Sequence, residues 1–188
     1  CEKAGEAVAR GAKELHIVGG LHPDHDYSFY PTMIATLKQK FPEVILKAFT
    51  AIEILHFSSI SGKPVEAVLK ELQSCGLQSL TGGGAEILEP EMRNKICKGK
   101  ESTDEWISVH RCAHKLGLFS NATMLFGHIE SYRDRVVHMN YIRDLQEDSK
   151  GFFSFIPLVF HPDNTRLGKK VKEKTSPEDV LKTIAVSR

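Results

Sequence analysis

The sequence predicts an α/β protein forming part of a TIM-type (β/α) barrel, and three observations predict it. Strand-like apolar runs alternate with amphipathic helical patterns from one end of the chain to the other. Such alternation needs crossover helices, and therefore a parallel sheet. Each apolar run is followed at once by a polar or glycine-rich cluster. A barrel gathers such clusters at one mouth, whereas an open sheet concentrates them at a single switch point. A full barrel takes about 250 residues, so the 188 residues here are expected to supply roughly five to six βα units in one domain.

The chain opens on "CEKAGEAVARGAKEL", which reads as the middle of an amphipathic helix without a cap. Strand runs follow at 15–18, 44–49, 77–80, 118–126 and 155–160. Helical patterns occupy 27–41, 64–75, 103–116 and 131–148, with apolar positions three or four apart, and 89–96 reads as a short additional helix. Gly76 and Gly117 stand where helix C-caps belong. "TSPEDVLKTIAV" starts a last helix, with Ser176 as cap and Pro177 in its first position. The uncapped opening and this late new helix lead to the expectation of a barrel cut short on its N-terminal and C-terminal sides.

Composition narrows the function classes. With 41% hydrophobic and 26% charged residues and a formal net charge of +1, the chain has material for a core. The same balance gives no electrostatic case for nucleic acid or an anionic membrane as partner. No apolar run reaches the roughly 18 residues of a membrane helix, and no signal-peptide pattern is present, so a cytoplasmic location is expected. Cys1, Cys75, Cys97 and Cys112 form no C-x-x-C pair and read as inert thiols rather than a disulfide framework or zinc site. The Lys-rich "GKKVKEK" reads as a solvated loop.

The clusters carry the chemistry. In "SLTGGGAEIL", Gly82, Gly83 and Gly84 are followed by Ala85 and Glu86, where a Walker A loop needs Gly-Lys-Ser/Thr and a dinucleotide fingerprint needs G-x-G-x-x-G. A carboxylate at Glu86 also repels phosphate. Two readings stay open. Backbone amides approach a neutral or zwitterionic ligand whose hydroxyls or amine Glu86 accepts, or the stretch is a tight turn with Glu86 at a helix N-terminus. "HIVGGLHPDHD" puts Gly19 and Gly20 at a strand end, then His22, Asp24, His25 and Asp26, without a recognised metal spacing. His110 and His114 lie four apart on a helix, but Arg111 stands where H-E-x-x-H has its Glu, so packing and surface is their reading. His16, inside a strand, reads as a core histidine. "NATMLFGHIE" stops a strand at Gly127 and delivers His128 and Glu130 to the mouth. "FHPDNTRL" offers His161, Asn164 and Arg166 to hold carboxylates or hydroxyls.

In order, "HIVGGLHPD", "KAFTAIEI", "SLTGGGAEI", "NATMLFGHIE" and "FIPLVFHPDNTRL" resemble the aminofutalosine synthases, radical S-adenosylmethionine (SAM) enzymes of the futalosine route to menaquinone. The likeness runs from about Glu14 to Leu167. Cyclic dehypoxanthine futalosine synthase and FO synthase look similar and are the alternative reading. The resemblance implies a transferase with SAM and a 4Fe–4S cluster as cofactors, a small-molecule substrate, and a reductant such as flavodoxin or ferredoxin. It implies addition of the 5′-deoxyadenosyl radical from SAM to 3-[(1-carboxyvinyl)oxy]benzoate, giving 6-amino-6-deoxyfutalosine.

By the same resemblance, Gly19, Gly20, Glu86, Thr123, Gly127 and Glu130 are the expected SAM-binding residues. Leu21 stands where the family's "GGE" has its Glu, and Thr123 replaces the first glycine of "G-x-I-x-G-x-x-E". His22 and His161 are the expected catalytic residues, with His128, Asn164 and Arg166 on the substrate. The family's cluster-binding C-x-x-x-C-x-x-C is absent and Cys1 lacks partner cysteines, so this chain alone is expected to bind no cluster and to be inactive. Two rivals come from other classes: a zinc or iron barrel hydrolase using His22, His25, His128 and His161, and a non-catalytic interaction module.

Overall fold

Five parallel strands in chain order set the frame of a computed structural model that describes every residue but 172. They are β1 (Glu14–Ile17), β2 (Ile45–Ala48), β3 (Ser79–Leu80), β4 (Phe119–Phe126) and β5 (Phe152–Val159). The helices are α1 (Glu2–Ala9), α2 (Phe29–Lys40), α3 (Ala51–Ser61), α4 (Val65–Ser74), α5 (Pro90–Ile96), α6 (Thr103–Lys115), α7 (Tyr132–Ser149) and α8 (Pro177–Val186). Each crossover adds a strand on the same side, so the sheet curls into a half-barrel as the sequence predicts. Lys47 on β2 measures the curl: its Nζ lies 4.9 Å from the centre of the Phe153 ring on β5. In a flat sheet, with β3 and β4 between them, those strands would stand about 14 Å apart.

Strand alternation divides the residues between two faces. Leu15, Ile17, Leu46, Ala48 and Leu80 point outward into the core under the helices, against fully buried side chains such as Ile34, Ile54, Phe57 and Trp106. Burying a side chain of this size contributes about 1.5–3 kcal/mol. A second cluster, Ile87, Met92, Met124 and Phe126, packs beneath the loops that leave β3 and β4. A register shift between Ser120 and Asn121 sets Asn121 opposite Ser154. Gly76 (φ 109°) and Gly117 (φ 79°) take the left-handed conformation expected just after a helix.

Several expectations need correction. Residues 51–61, outside every helical pattern read from the sequence, form α3, which is apolar nearly all round and so lacks an amphipathic period. A reciprocal cap starts it: Glu53 N–H donates to Thr50 Oγ1 (3.3 Å) and Thr50 N–H to Glu53 Oε2 (2.8 Å). β5 begins at Phe152 rather than 155. His16 is exposed on the inner face, because its neighbours Leu15 and Ile17 take the core side. His110 and His114 are both buried, each within 3 Å of Ser120 Oγ, at 2.9 and 2.8 Å. The Lys-rich stretch makes an exposed turn at Gly168–Lys170, its residue 172 lying outside the described residues. Among the described residues no helix is long and apolar enough to cross a membrane.

Candidate functional site

Because the strands are parallel, all five C-terminal tips lie along one edge of the half-barrel. At the β3 tip, Thr81 donates to Phe49 O from both its amide and its hydroxyl, each at 2.9 Å. A Cβ on Gly82 would stand 2.6 Å from Asn121 O, one on Gly83 2.9 Å from Thr50 Cγ2, and one on Gly84 2.9 Å from Ile52 Cδ1. The β4 backbone therefore requires Gly82, while Gly83 and Gly84 meet the side chains of Thr50 and of Ile52 on α3. What these three glycines approach is protein. Thr123 Oγ1 adds a hydrogen bond to Gly82 O at 2.7 Å.

The loop then turns at Glu86, whose φ of 46° is left-handed. Leu125 N–H donates to Glu86 O at 2.7 Å, and the carboxylate is partly exposed, 3.8 Å from Lys100 Nζ. Arg93, buried on α5, donates to Gly84 O (3.0 Å), Ala85 O (2.5 Å) and Glu101 O (2.9 Å). It also pairs with Glu101 Oε1 at 2.5 Å. Burial pushes the Glu101 carboxyl up, and Arg93 opposes that shift.

At the β4 tip, Glu130 is wholly buried and accepts from Gly127 N–H (2.6 Å), His128 N–H (2.8 Å) and Arg135 Nε (2.8 Å). Arg135 continues to Asp179 of α8 through two bonds of 2.8 and 3.0 Å, and to Thr183 Oγ1 at 2.8 Å. Its hydrogen bond to Asp179 holds that carboxyl below the usual range. His128 is buried too, with Nε2 3.2 Å from Leu125 O and Nδ1 3.0 Å from Glu130 Oε2. Desolvation lowers its pKa, and the Glu130 carboxylate opposes that shift. Gly127 is left-handed (φ 85°), and a Cβ there would land on Thr175 Oγ1.

The outer tips differ. Gly19 N–H donates to Glu53 Oε1 at 2.9 Å, while Gly20 (φ 74°) has open space where a Cβ would be. His22 stacks on His25, and His25 on Phe29, each with ring centres 4.0 Å apart. His161 is exposed, its Nδ1 3.8 Å from Asp163, and Asn164 (φ 62°) and Arg166 are exposed beside it.

The fold thus unites Glu86, Thr123, Gly127, His128 and Glu130 in one wall made by β3 and β4. His22 and the group His161, Asn164 and Arg166 stand on the loops of the two outer strands, β1 and β5. Within the wall, Glu130 and His128 face the protein and shape the loop. Sequence reasoning missed Glu53, Arg93, Glu101, Arg135 and Asp179. The T-x-x-E spacing of Thr50 and Glu53 is a readable cap signal, whereas the two arginines carry no local signal.

The sequence pattern of the Radical SAM superfamily matches residues 2–142. The chain belongs to that superfamily. It is 45% identical over 185 residues to an aminodeoxyfutalosine synthase of Thermus thermophilus, covering 97% of this chain and 50% of the relative. It is 40% identical over 191 residues to a 5-amino-6-(D-ribitylamino)uracil–L-tyrosine 4-hydroxyphenyl transferase of Methanosarcina barkeri, covering 100% of this chain and 50% of that one. The crystal structure of methylornithine synthase (PylB) superposes with a TM-score of 0.73 at 15% identity, over 100% of this chain and 52% of its own, a likeness of fold. The chain spans about half the length of the curated relatives it matches.

Membership of this radical SAM family implies SAM and a 4Fe–4S cluster. The tips fit the first: Gly20 N–H donates to no group among the described residues, and Glu86 presents a carboxylate at the β3 tip on the same edge. They do not fit the second. Cys1 is exposed, Cys97 buried, and Cys75 and Cys112 lie between, and no three His, Cys, Asp or Glu converge among the described residues. The same finding corrects the hydrolase rival, whose histidines His22, His25, His128 and His161 do not assemble a metal site.

Proposed function

We propose that this chain is the adenosyl-binding part of a cytoplasmic radical SAM transferase of the aminodeoxyfutalosine synthase kind. When bound, SAM supplies the 5′-deoxyadenosyl group that is transferred to 3-[(1-carboxyvinyl)oxy]benzoate, methionine leaving from SAM and carbon dioxide from the substrate, giving 6-amino-6-deoxyfutalosine. In this reading the backbone at Gly19 and Gly20 takes the methionine end. Glu86 accepts hydrogen bonds from the ribose hydroxyls or the amine, and Thr123 and Gly127 border the adenine. Glu130 works from beneath, fixing the amides of Gly127 and His128. His22, His161, Asn164 and Arg166 receive the two substrate carboxylates, and a flavodoxin or ferredoxin delivers electrons to the whole enzyme.

The observation that supports this reading most is Glu86. A carboxylate held on left-handed backbone, at the strand edge where barrel enzymes keep their chemistry, is a strained residue of the kind that functional sites retain. Calorimetric titration with S-adenosylhomocysteine tests it without a cluster. We expect saturable one-to-one binding that Glu86→Gln weakens about tenfold, as loss of one charge-assisted hydrogen bond does. Absence of binding overturns the site, and an unchanged affinity in Glu86→Gln removes Glu86 from it.

A further inference from the structure

We infer that Arg93, locked by Glu101, is the positioning residue that holds Glu86 in the conformation from which it meets its ligand. The inference rests on the adenosyl-site reading above and extends it to two residues which that reading does not use.

The geometry argues it through peptide planes. A residue's φ and ψ are set by the orientations of the two rigid peptide groups on either side of it. The group before Glu86 carries the Ala85 carbonyl, which accepts from Arg93 Nη1 at 2.5 Å. The group after Glu86 carries its own carbonyl, which accepts from Leu125 N–H at 2.7 Å. Both planes are therefore fixed, one by a guanidinium and one by β4, and the unfavourable φ of 46° is over-determined. Gly82, Gly83 and Gly84 stand before Ala85 and serve the close approaches to β4 and α3. The one position in the turn that carries an acidic side chain is left-handed without being glycine.

Arg93 in turn has little freedom. Its side chain is 3% exposed and that of Glu101 5%, and Glu101 holds it twice, by its carboxylate and by its own carbonyl. A planar fork is needed, since the guanidinium meets four carbonyl oxygens, that of Ile87 at 3.5 Å among them, and a carboxylate at once, which an ammonium cannot match. The same segment carries Lys100 to within 3.8 Å of the Glu86 carboxylate, so the clamp and the carboxylate share one loop.

A double-mutant cycle separates positioning from general support of the fold. S-adenosylhomocysteine is titrated into the parent protein, Arg93→Lys, Glu86→Gln and the double variant, with melting temperature and amide hydrogen exchange at 84–88 followed in each. We expect Arg93→Lys to weaken binding about tenfold and to add nothing once Glu86 is Gln, as coupled groups behave. Additive losses overturn the inference. If Glu86→Gln costs nothing, Glu86 is removed from the adenosyl site and the exchange rates then judge the clamp alone. Faster exchange at 84–88 in Arg93→Lys supports it, and unchanged exchange overturns it. Should Arg93→Lys fail to fold, Glu101→Gln, which keeps the arginine and loses its ion pair, takes its place in the cycle.

Discussion

At the tips of β3 and β4, buried arginines tie down the loops. Arg93 meets the carbonyls of Gly84 and Ala85, and Arg135 meets Glu130, which in turn holds the amides of Gly127 and His128. At the tips of β1 and β5 the chain runs exposed: His22 rests on His25, and His161 stands 3.8 Å from Asp163. The cause is position in the sheet. β3 and β4 have neighbours on both sides, so their loops pack against other loops and must satisfy every polar group internally. β1 and β5 are the edges of this sheet and have a neighbour on one side only. The difference teaches that a strand-end motif says where a residue sits along the chain, and that the neighbours decide whether it faces a ligand or the protein.

The largest test of that contrast removes one arginine from each half. Arg135→Met leaves Glu130 and Asp179 without their cation in a setting where the Glu130 side chain is fully buried. Breaking one side of such a pair costs about 3–5 kcal/mol. Arg166→Met, on the exposed β5 tip, should stay within about 0.5 kcal/mol of the parent. Urea unfolding of both variants measures the two values. A loss of less than about 1 kcal/mol in Arg135→Met would show the inner half to be no more tightly built than the outer.

The pH dependence of stability sharpens the same contrast. Burial lowers His110 to about 3, His114 to about 4 and His138 to about 3, from an ordinary 6.5. All three lie on α6 and α7, the helices flanking β4. Below 6.5 the unfolded chain takes up protons that the folded chain refuses, so the stability present above that value is lost as pH falls towards the folded values. Between pH 7.5 and 5.5 the three histidines together should remove about 4 kcal/mol. Urea midpoints at the two pH values check it. A flat profile would mean that these rings are hydrated in the native protein.

Much of the fold was legible because it rests on local pattern. Alternating runs and helical periods located all five strands, and Gly76 and Gly117 marked two helix ends that the backbone requires to be left-handed. α3 escaped because Ile54 and Phe57 share the helix with Ile52, Leu55 and Ile60, leaving no polar stripe to reveal its period. The site was legible only as a set of addresses. Glu86 and Thr123 follow from their motifs, but Glu130 reads as a ligand in sequence and is enclosed in structure, because Arg135 reaches it from 5 residues away and is itself held by Asp179, 44 residues further along the chain. No local spacing encodes that meeting.

The smallest effect compares two glycines that look alike in sequence. Gly82 and Gly20 both end a strand run beside another glycine. A Cβ on Gly82 would stand 2.6 Å from the Asn121 carbonyl oxygen, and backbone on both sides leaves no flexible atom to give way. Gly82→Ala should therefore push β3 and β4 apart and cost about 1–3 kcal/mol, as overpacking does. Gly20 has open space around it and a φ of 74°, so Gly20→Ala should cost only the left-handed backbone penalty, about 1 kcal/mol. The two variants differ in a second way. Crowding at Gly82 breaks the Thr123 hydrogen bond to its carbonyl, so hydrogen exchange should quicken along β4 in Gly82→Ala and stay unchanged there in Gly20→Ala. Equal losses with equal exchange would show that the β3–β4 contact is looser than its geometry, and the contrast between inner and outer tips would then reduce to solvent exposure alone.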